Sequence, residues 1–210
     1  ENINYVGKNI SVIGENRENT IIDGSSNNER VVTFENGENT TAVLSGFSIM
    51  YGNGGVMVDG SSPKLQNLII AYNQSNNYGG GVYAFESDAL IIEDCEIYLN
   101  FTTNWGGGIY LNQVNADMTN VIIANCQADS GSAIFVEDVT LNISNCTFYA
   151  DFEYMMSQID FLNGYGNALL VYQQDNTINI INSIFFGFDS NWDGYGSIYE
   201  GDYYGYTQNS

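Results

Sequence analysis

The sequence contains no histidine and very few basic residues. Its 210 residues include 4 Lys and Arg against 25 Asp and Glu, which gives a formal net charge of −21. Proteins that bind nucleic acid need clustered Lys and Arg to contact phosphates, so the composition excludes nucleic acid as a partner. Cations, calcium above all, are compatible with this charge. A high-salt environment would also explain it, and composition alone does not separate the two.

Long apolar runs are also missing. No run approaches the roughly 18 residues of a membrane span, so we expect no direct membrane insertion. Neither a signal peptide nor an initiator Met is present, which predicts a mature chain or an excised fragment. At 44% hydrophobic residues the chain is too apolar for disorder. Its abundant Asn, Gly, Ser, Thr and Tyr favour an extracellular location, secreted or at the cell surface.

Cysteine is scarce, and the three thiols do not form a disulfide framework. Cys95 and Cys146 occupy the same place two repeats apart, which in stacked strands separates them by about 9.6 Å. A disulfide cannot bridge that distance. We therefore interpret the cysteines as small core residues.

Two short phrases recur along the chain. The first is a glycine group followed by an apolar alternation; it reads GGGVYA from Gly79, GGGIYL from Gly106, and more loosely NGGVMV from Asn53, GSAIFV from Gly131, GNALLV from Gly166 and YGSIYE from Tyr195. The second phrase aligns on Gly46, Asn67, Asp94, Asn120, Asn145 and Asn182, with gaps of 21, 27, 26, 25 and 37 residues. A repeat of about 25 residues predicts a solenoid.

Within each repeat, apolar residues alternate with period two, which is typical of strands. The phase of this alternation inverts at the aligned Asn, so we predict a corner there, because Asn tolerates the left-handed conformation. The glycine group predicts a second corner and a third strand. Three strands per coil and about seven coils give an all-β fold, a single-stranded right-handed parallel β-helix. We expect one domain over 1–210, with irregular first coils (1–40), regular coils (41–200) and an insertion loop (151–164).

The paired phrases resemble a known repeat. GGGV, GGGI, GSAI and GNAL are similar to the GGA-[ILV] signature of polymorphic outer-membrane proteins, which are autotransporter adhesins. IAYN from Ile70 and IYLN from Ile97 are similar to their FxxN signature, whereas FYAD departs from it at Asp151. The resemblance covers about residues 41–200 and extends to the wider pectate-lyase-like β-helix superfamily. It implies an extracellular protein that attaches to surfaces or contacts glycans.

The same resemblance raises the question of catalysis. It implies that a lyase of this fold would use a Lys or Arg base beside calcium-binding carboxylates, and that a hydrolase would use paired Asp with His. The four basic residues all lie in the first third, and the sequence places no acidic cluster beside them: Lys8, Arg17, Arg30 and Lys64. We predict no catalytic residue and favour a non-catalytic scaffold or adhesin-like domain that binds glycan or protein. The alternatives are a polysaccharide lyase or glycoside hydrolase fragment, and a purely structural stalk.

Outward positions of the third strand form one candidate binding site. One such residue is expected per coil, in the order Met57, Tyr83, Tyr110, Phe135, Leu170 and Tyr199. Aromatic rings repeated at the coil spacing form a flat ridge on which sugar rings can stack. The sequence therefore predicts a ligand-binding ridge of Tyr83, Tyr110, Phe135 and Tyr199. The alternative is cross-strand stabilisation without a ligand.

The stretch DSNWDGYGSIYE is a candidate calcium site. Its spacing fits D-x-[DN]-x-[DN]-G-x5-E, with ligands expected from Asp189, Asn191, Asp193, the Tyr195 carbonyl and Glu200. Two features oppose this interpretation: the flanking segments are strands, and Glu200 also belongs to the last glycine phrase. The alternative is a solvated loop.

The outer face of the second strand is also apolar in places, at Ile69, Tyr98, Ile122, Tyr149, Ile184 and Phe186. We expect a cover for it, supplied either by the 151–164 insertion or by a neighbouring subunit in a homo-oligomer. N-x-[ST] sequons, among them Asn39, Asn73, Asn100, Asn142 and Asn145, are expected by chance in so Asn-rich a chain.

Overall fold

The computed structural model describes residues 1–26, 28–151, 168–172 and 175–187, together with the backbone of Ile198–Glu200. This part of the chain contains strands and no helix. The strands stack in parallel from coil to coil, as the sequence predicts.

Each coil contributes three strands, here called strands a, b and c. Strands a are Ser11–Ile13, Val43–Ser45, Lys64–Gln66, the second halves of Val82–Glu93 and Ile109–Thr119, Thr140–Ser144 and Thr177–Ile181. Strands b are Ile21–Asp23, Ser48–Met50, Ile69–Ala71, Glu96–Tyr98, Ile122–Ala124, Thr147–Tyr149 and Ile184–Phe186. Strands c are Ile3–Asn4, Val32–Phe34, Val56–Asp59, the first halves of Val82–Glu93 and Ile109–Thr119, Ile134–Glu137, Leu169–Tyr172 and Ile198–Glu200. A small extra pair joins Gln74–Ser75 to Phe101–Thr102.

The strands pair in the register that the repeat predicts. Ile92 lies between Leu65 and Met118, and Ile97 lies between Ile70 and Ile123. The b strands form one sheet of seven, which confirms about seven coils. The first coils, although irregular in sequence, pair within the same sheets as the later ones.

The aligned polar residues are corners. All six have positive φ: Gly46 (78°), Asn67 (51°), Asp94 (55°), Asn120 (55°), Asn145 (53°) and Asn182 (50°). Two pairs of neighbouring corners are joined by side-chain hydrogen bonds, from Asn120 to Asp94 (2.6 Å) and from Asn182 to Asn145 (2.6 Å). The predicted left-handed corner is therefore confirmed, and its polar stacking is confirmed for these two pairs.

The inward-facing residues fill the space between the sheets. The phase inversion at each corner keeps apolar side chains inside on both strands a and b, and these side chains form one continuous core. Burying each Leu or Ile there stabilises the fold by about 1.5–3 kcal/mol. The three cysteines belong to this core as free, buried thiols, as predicted.

Asparagines also lie inside the core. Asn73 and Asn100 are each 1% exposed and follow strands b of successive coils. Asn100 Oδ1 accepts bonds from Asn73 N and Asn73 Nδ2 (both 3.0 Å), and Asn100 Nδ2 donates to Ile70 O (2.8 Å). Asn73 Oδ1 in turn accepts from Gly52 N (3.0 Å). These are the final residues of IAYN and IYLN, so the loosened FxxN phrase encodes an internal hydrogen-bond ladder.

A buried carboxylate holds the turn after the second c strand. Glu38 is 1% exposed and accepts bonds from Gly7 N (2.7 Å), Asn36 N (2.9 Å) and Ser61 Oγ (2.8 Å). Burial alone would raise the pKa of Glu38, but these hydrogen bonds together hold that pKa below its ordinary value.

Replacing this carboxylate should make stability less dependent on acid pH. Because the folded-state pKa of Glu38 is depressed, its contribution is fully present above the unfolded value of about 4.3 and is lost as the pH falls through the folded value. We expect Glu38→Gln to lower the free energy of unfolding by about 2 kcal/mol at pH 7, and the difference from wild type to shrink below pH ~4. Urea unfolding at pH 7, 4 and 3 measures this, with the exposed Glu15→Gln as control. A difference that does not change with pH would contradict it.

Parts of the second-strand face are exposed. Ile122, Ile184 and Phe186 are exposed, whereas Ile69 is buried. The proposed lid lies outside the described residues apart from Asp151. A cover for this face, whether lid or subunit, stays a prediction.

Candidate ligand-binding face

The outward residues of strands c form the single row that the sequence predicts. Tyr83 pairs with Met57 on one side and Tyr110 on the other, and Phe135 pairs with Tyr110 and Leu170. The rings are stacked, with centroids 5.5 Å apart for Tyr83–Tyr110 and 5.4 Å for Tyr110–Phe135. Tyr199 pairs with Leu170 through its backbone, and its side chain lies outside the described part.

The prediction that this row is an open ridge is wrong at two of its positions. Tyr110 is 5% exposed and Phe135 is 2% exposed. Tyr78 stacks on Tyr110 with centroids 4.9 Å apart, and Trp105 stacks on Phe135 at 4.9 Å and 9°. The row is therefore the inner layer of a second, smaller core, named here the aromatic cluster: Tyr78, Tyr83, Trp105, Tyr110, Phe135, Leu170 and Tyr172.

Loop length explains this cover. Ten residues, 72–81, separate strands b and c in the coil that contains Tyr83, and ten, 99–108, do so in the next coil. These loops carry Tyr78 and Trp105. Only five residues, 51–55, make the same connection one coil earlier. The sheet face is covered beside the two ten-residue loops and open beside the five-residue loop.

Tyr83 stands at the boundary between the two halves of this face. The Arg30 guanidinium lies 5.3 Å from its ring centroid, and the Tyr110 ring stacks in parallel with it at 2°. The cation and the stacked ring leave little of the Tyr83 ring face for a sugar to stack on. Tyr83 therefore contributes an aromatic end wall to the open half rather than a stacking platform.

The open half is a groove of about 600 Å³. Its floor is the continuation of the outward row, Asn4, Thr33 and Met57. Its walls are lined by Glu29, Arg30, Glu35, Asn53, Asp59, Ser75, Asn76, Asn77 and Tyr83. Amide and carboxylate groups dominate this lining, with one apolar floor residue and one aromatic end wall.

Arg30 is the one basic residue that lines this groove. Its Nη1 donates to Gly79 O (2.6 Å) and its Nη2 donates to Tyr78 O, so it ties the loop of its own coil to the loop two coils on. Burial lowers the pKa of Arg30 to about 10. The group therefore stays protonated at neutral pH, and its charge is directed to backbone carbonyls.

The sequence predicts no acidic cluster beside the basic residues, and the structure corrects this prediction for Arg30. Glu29, Glu35 and Asp59 line the same groove as Arg30. Asn4 Nδ2 donates to Glu35 Oε1 (2.7 Å), while Glu29 and Asp59 are exposed. With three carboxylates and one guanidinium, the groove lining carries a net negative charge. Arg30 could not have been found from spacing, because its partners follow it by 48 and 49 residues.

The candidate calcium ligands lie almost entirely outside the described residues. Of the five, Glu200 alone has a described backbone, and it pairs with Val171 at the end of strand Ile198–Glu200. In the described ranges, no three Asp, Glu or Cys side chains lie close enough together to hold a metal ion. The described ranges contain no helix that could cross a membrane.

Comparison with known proteins agrees with this architecture. A sequence model of the family described as right handed beta helix region matches residues 4–185. No match was found among curated proteins or among solved structures. The narrower resemblance to polymorphic outer-membrane protein repeats stays a prediction. A match over most of the chain, with strands stacked in parallel in the predicted register, means that the chain belongs to the right-handed β-helix family.

Proposed function

We propose that this protein is a non-catalytic, extracellular β-helix that binds a glycan in the groove between Asn4 and Tyr83. The single observation that carries the proposal is the groove lining, where amide and carboxylate groups surround an apolar floor and an aromatic end wall. Such polar groups accept and donate hydrogen bonds to sugar hydroxyls, while apolar side chains contact the C–H faces of the ring. An adhesin-like role at a cell surface is the wider form of this proposal.

The charge of the groove narrows the class of glycan. The carboxylates of Glu29, Glu35 and Asp59 repel uronates, and Arg30 is already engaged by two carbonyls. The net charge of −21 adds to this repulsion at a distance. Neutral sugars and amino sugars therefore fit this groove better than polyuronates do.

We expect neutral or amino oligosaccharides to bind and oligogalacturonate of equal length to bind at least about tenfold more weakly, because like charges cost about 1.4 kcal/mol or more here. Isothermal titration on ligands chosen from a glycan array measures this. The double variant Asp59→Ala/Asn76→Ala should weaken binding about tenfold. The control Asp88→Ala/Asn115→Ala, exposed and outside the groove, should not. Tighter binding of the uronate would overturn the proposal, and the absence of any binding would favour the stalk.

One observation favours a second candidate, a polysaccharide lyase. Arg30 has a lowered pKa and shares its groove with three carboxylates, which is the kind of arrangement that proton abstraction beside a cation-bound uronate requires. Its engagement by two carbonyls opposes the role of base. Incubation with pectin or alginate, followed by ultraviolet absorbance of unsaturated products, tests this. Product formation that Arg30→Ala abolishes would establish the lyase.

Calcium and self-association are separate proposals. We propose that calcium binds at Asp189, Asn191, Asp193, Tyr195 and Glu200, and that the apolar second-strand face supports a homo-oligomer. A rise in melting temperature with calcium over chelator, lost in Asp193→Ala, would support the first. A mass above that of one chain in light scattering, returning to one chain in Ile184→Asp, would support the second.

A further inference from the structure

The five sequons named above and a sixth, Asn9-Ile10-Ser11, differ in their surroundings. Asn73 and Asn100 are each 1% exposed and belong to the internal ladder. Asn142 lies within strand Thr140–Ser144 and Asn145 lies at its corner, and their side chains take part in ladders with neighbouring coils. Asn39 and Asn9, which begins the sixth sequon, lie in exposed loops, whereas the exposed Asn142 and Asn145 belong to the sheets. Accessibility therefore excludes Asn73 and Asn100, and position in a loop separates Asn9 and Asn39 from Asn142 and Asn145.

The Asn39 turn holds its own side-chain amide in a defined orientation. Asn39 Oδ1 accepts from Thr41 N (2.9 Å) and from Thr41 Oγ1 (2.7 Å), and Asn39 O accepts from Ala42 N (2.8 Å). This is an Asx turn closed by the hydroxyl of the residue two positions on. Because Thr41 holds the oxygen side of the amide, Nδ2 is left on the solvent side. Asn39, Thr40 and Thr41 are all exposed. The Asn9 sequon differs, because Asn9 Oδ1 accepts from Asn39 N (2.7 Å) and its third residue, Ser11, already begins strand Ser11–Ile13.

Sequons in the sheets lack this geometry. In Asn142 the Nδ2 donates to Asp117 Oδ1 (2.7 Å), so the nitrogen is already engaged. Asn145 has a left-handed backbone (φ 53°) and is followed by the buried Cys146. The third residue of that sequon, Thr147, is already part of strand Thr147–Tyr149. An enzyme would have to remove residues from the stack to bind either sequon in an extended loop.

We propose that Asn39 is an N-glycosylation site, modified by an oligosaccharyl group from a polyprenyl-diphosphate donor. A bond forms between Asn39 Nδ2 and the anomeric carbon of the first sugar, and the bond from that carbon to the diphosphate oxygen breaks. The lipid diphosphate leaves, and Nδ2 gives up one proton to the transferase. No oxidant or reductant is needed. The proposal is independent of the groove, and it requires only that the chain be exported.

The experiment is secretion of the full chain from a eukaryotic host, with a reporter sequon in a flexible tail placed after Ser210. Peptide mass mapping of the folded, secreted protein should show a glycan at Asn39 and at the reporter, and bare Asn at the other five sequons, Asn9 included. Asn39→Gln should remove one glycan mass. Thr41→Ala, which keeps Asn39 but removes the hydroxyl, should do the same.

Two outcomes overturn the proposal: a glycosylated reporter with bare Asn39, and glycans at Asn142 or Asn145 with equal occupancy. Asn142→Gln is the matched control and should leave the mass unchanged. Because the reporter shows whether the chain entered the glycosylating compartment, a bare Asn39 cannot be attributed to failed export. Glycan binding by the groove is measured on separate samples and does not bear on this result.

Discussion

Phe135→Ala is expected to lower the free energy of unfolding by about 4 kcal/mol, within the range for removing a fully buried aromatic side chain. Phe135 is 2% exposed and stacks between Tyr110 and Trp105, with Tyr172 5.9 Å away. Truncation would leave a cavity that rings of fixed geometry cannot fill. Urea unfolding followed by far-ultraviolet circular dichroism measures the change.

The conservative variant Phe135→Leu is the control, because Leu170 occupies the same row one coil later. It should cost no more than about 1.5 kcal/mol, since most of the apolar volume is kept. If Phe135 were instead part of an accessible ligand platform, alanine would abolish glycan binding and leave stability nearly unchanged. That result would restore the open ridge and remove the aromatic cluster as a structural element.

Asn100→Ala is expected to destabilise the protein by about 3 kcal/mol. The substitution leaves Asn73 N and Ile70 O buried without the partners that Asn100 supplies at 3.0 Å and 2.8 Å. Each buried polar group that loses its partner costs about 1–3 kcal/mol. The measurement is again urea unfolding, with hydrogen exchange at Asn73 to localise the effect.

Asn142→Ala is the matched control for this variant. Asn142 also makes two side-chain bonds, to Asp117 (2.7 Å) and from Asn179 (2.8 Å), but it does so in solvent. We expect a change within about 0.5 kcal/mol, because water replaces the lost partners. Equal effects at the two sites would mean that burial does not determine the strength of the ladder.

The coils were predictable because their signals are local and repeated. Asn67, Asp94 and Asn120 are residues that tolerate a left-handed backbone, and each stands where the apolar alternation inverts its phase. A second row of positive φ follows strands b, and its members Tyr51 (62°), Tyr72 (57°) and Leu99 (53°) could not be recognised in the same way, although Asn125 (51°) continues the row. Tyr and Leu have no preference for that conformation, so the stacking of strands b on one another imposes it there.

The candidate site was less predictable than the fold. The row of Tyr83, Tyr110 and Phe135 follows from period two, but its burial depends on Tyr78 and Trp105, which lie in loops without periodicity. Arg30 is similar, because its place in the groove depends on carbonyls far along the chain. Side chains supplied by loops have no repeat to reveal them, and here they decide what a ligand can reach.

The unequal loops between strands b and c have an evolutionary consequence. Strands Ser48–Met50 and Val56–Asp59 stack on their neighbours with the same register whether five or ten residues join each pair. Duplication of a coil, followed by lengthening or shortening of one loop, would thus close or open a binding surface without changing the strand pairing. Replacing segment 51–55 with a copy of segment 72–81 would test this, because the longer loop should cover the open half of the sheet face.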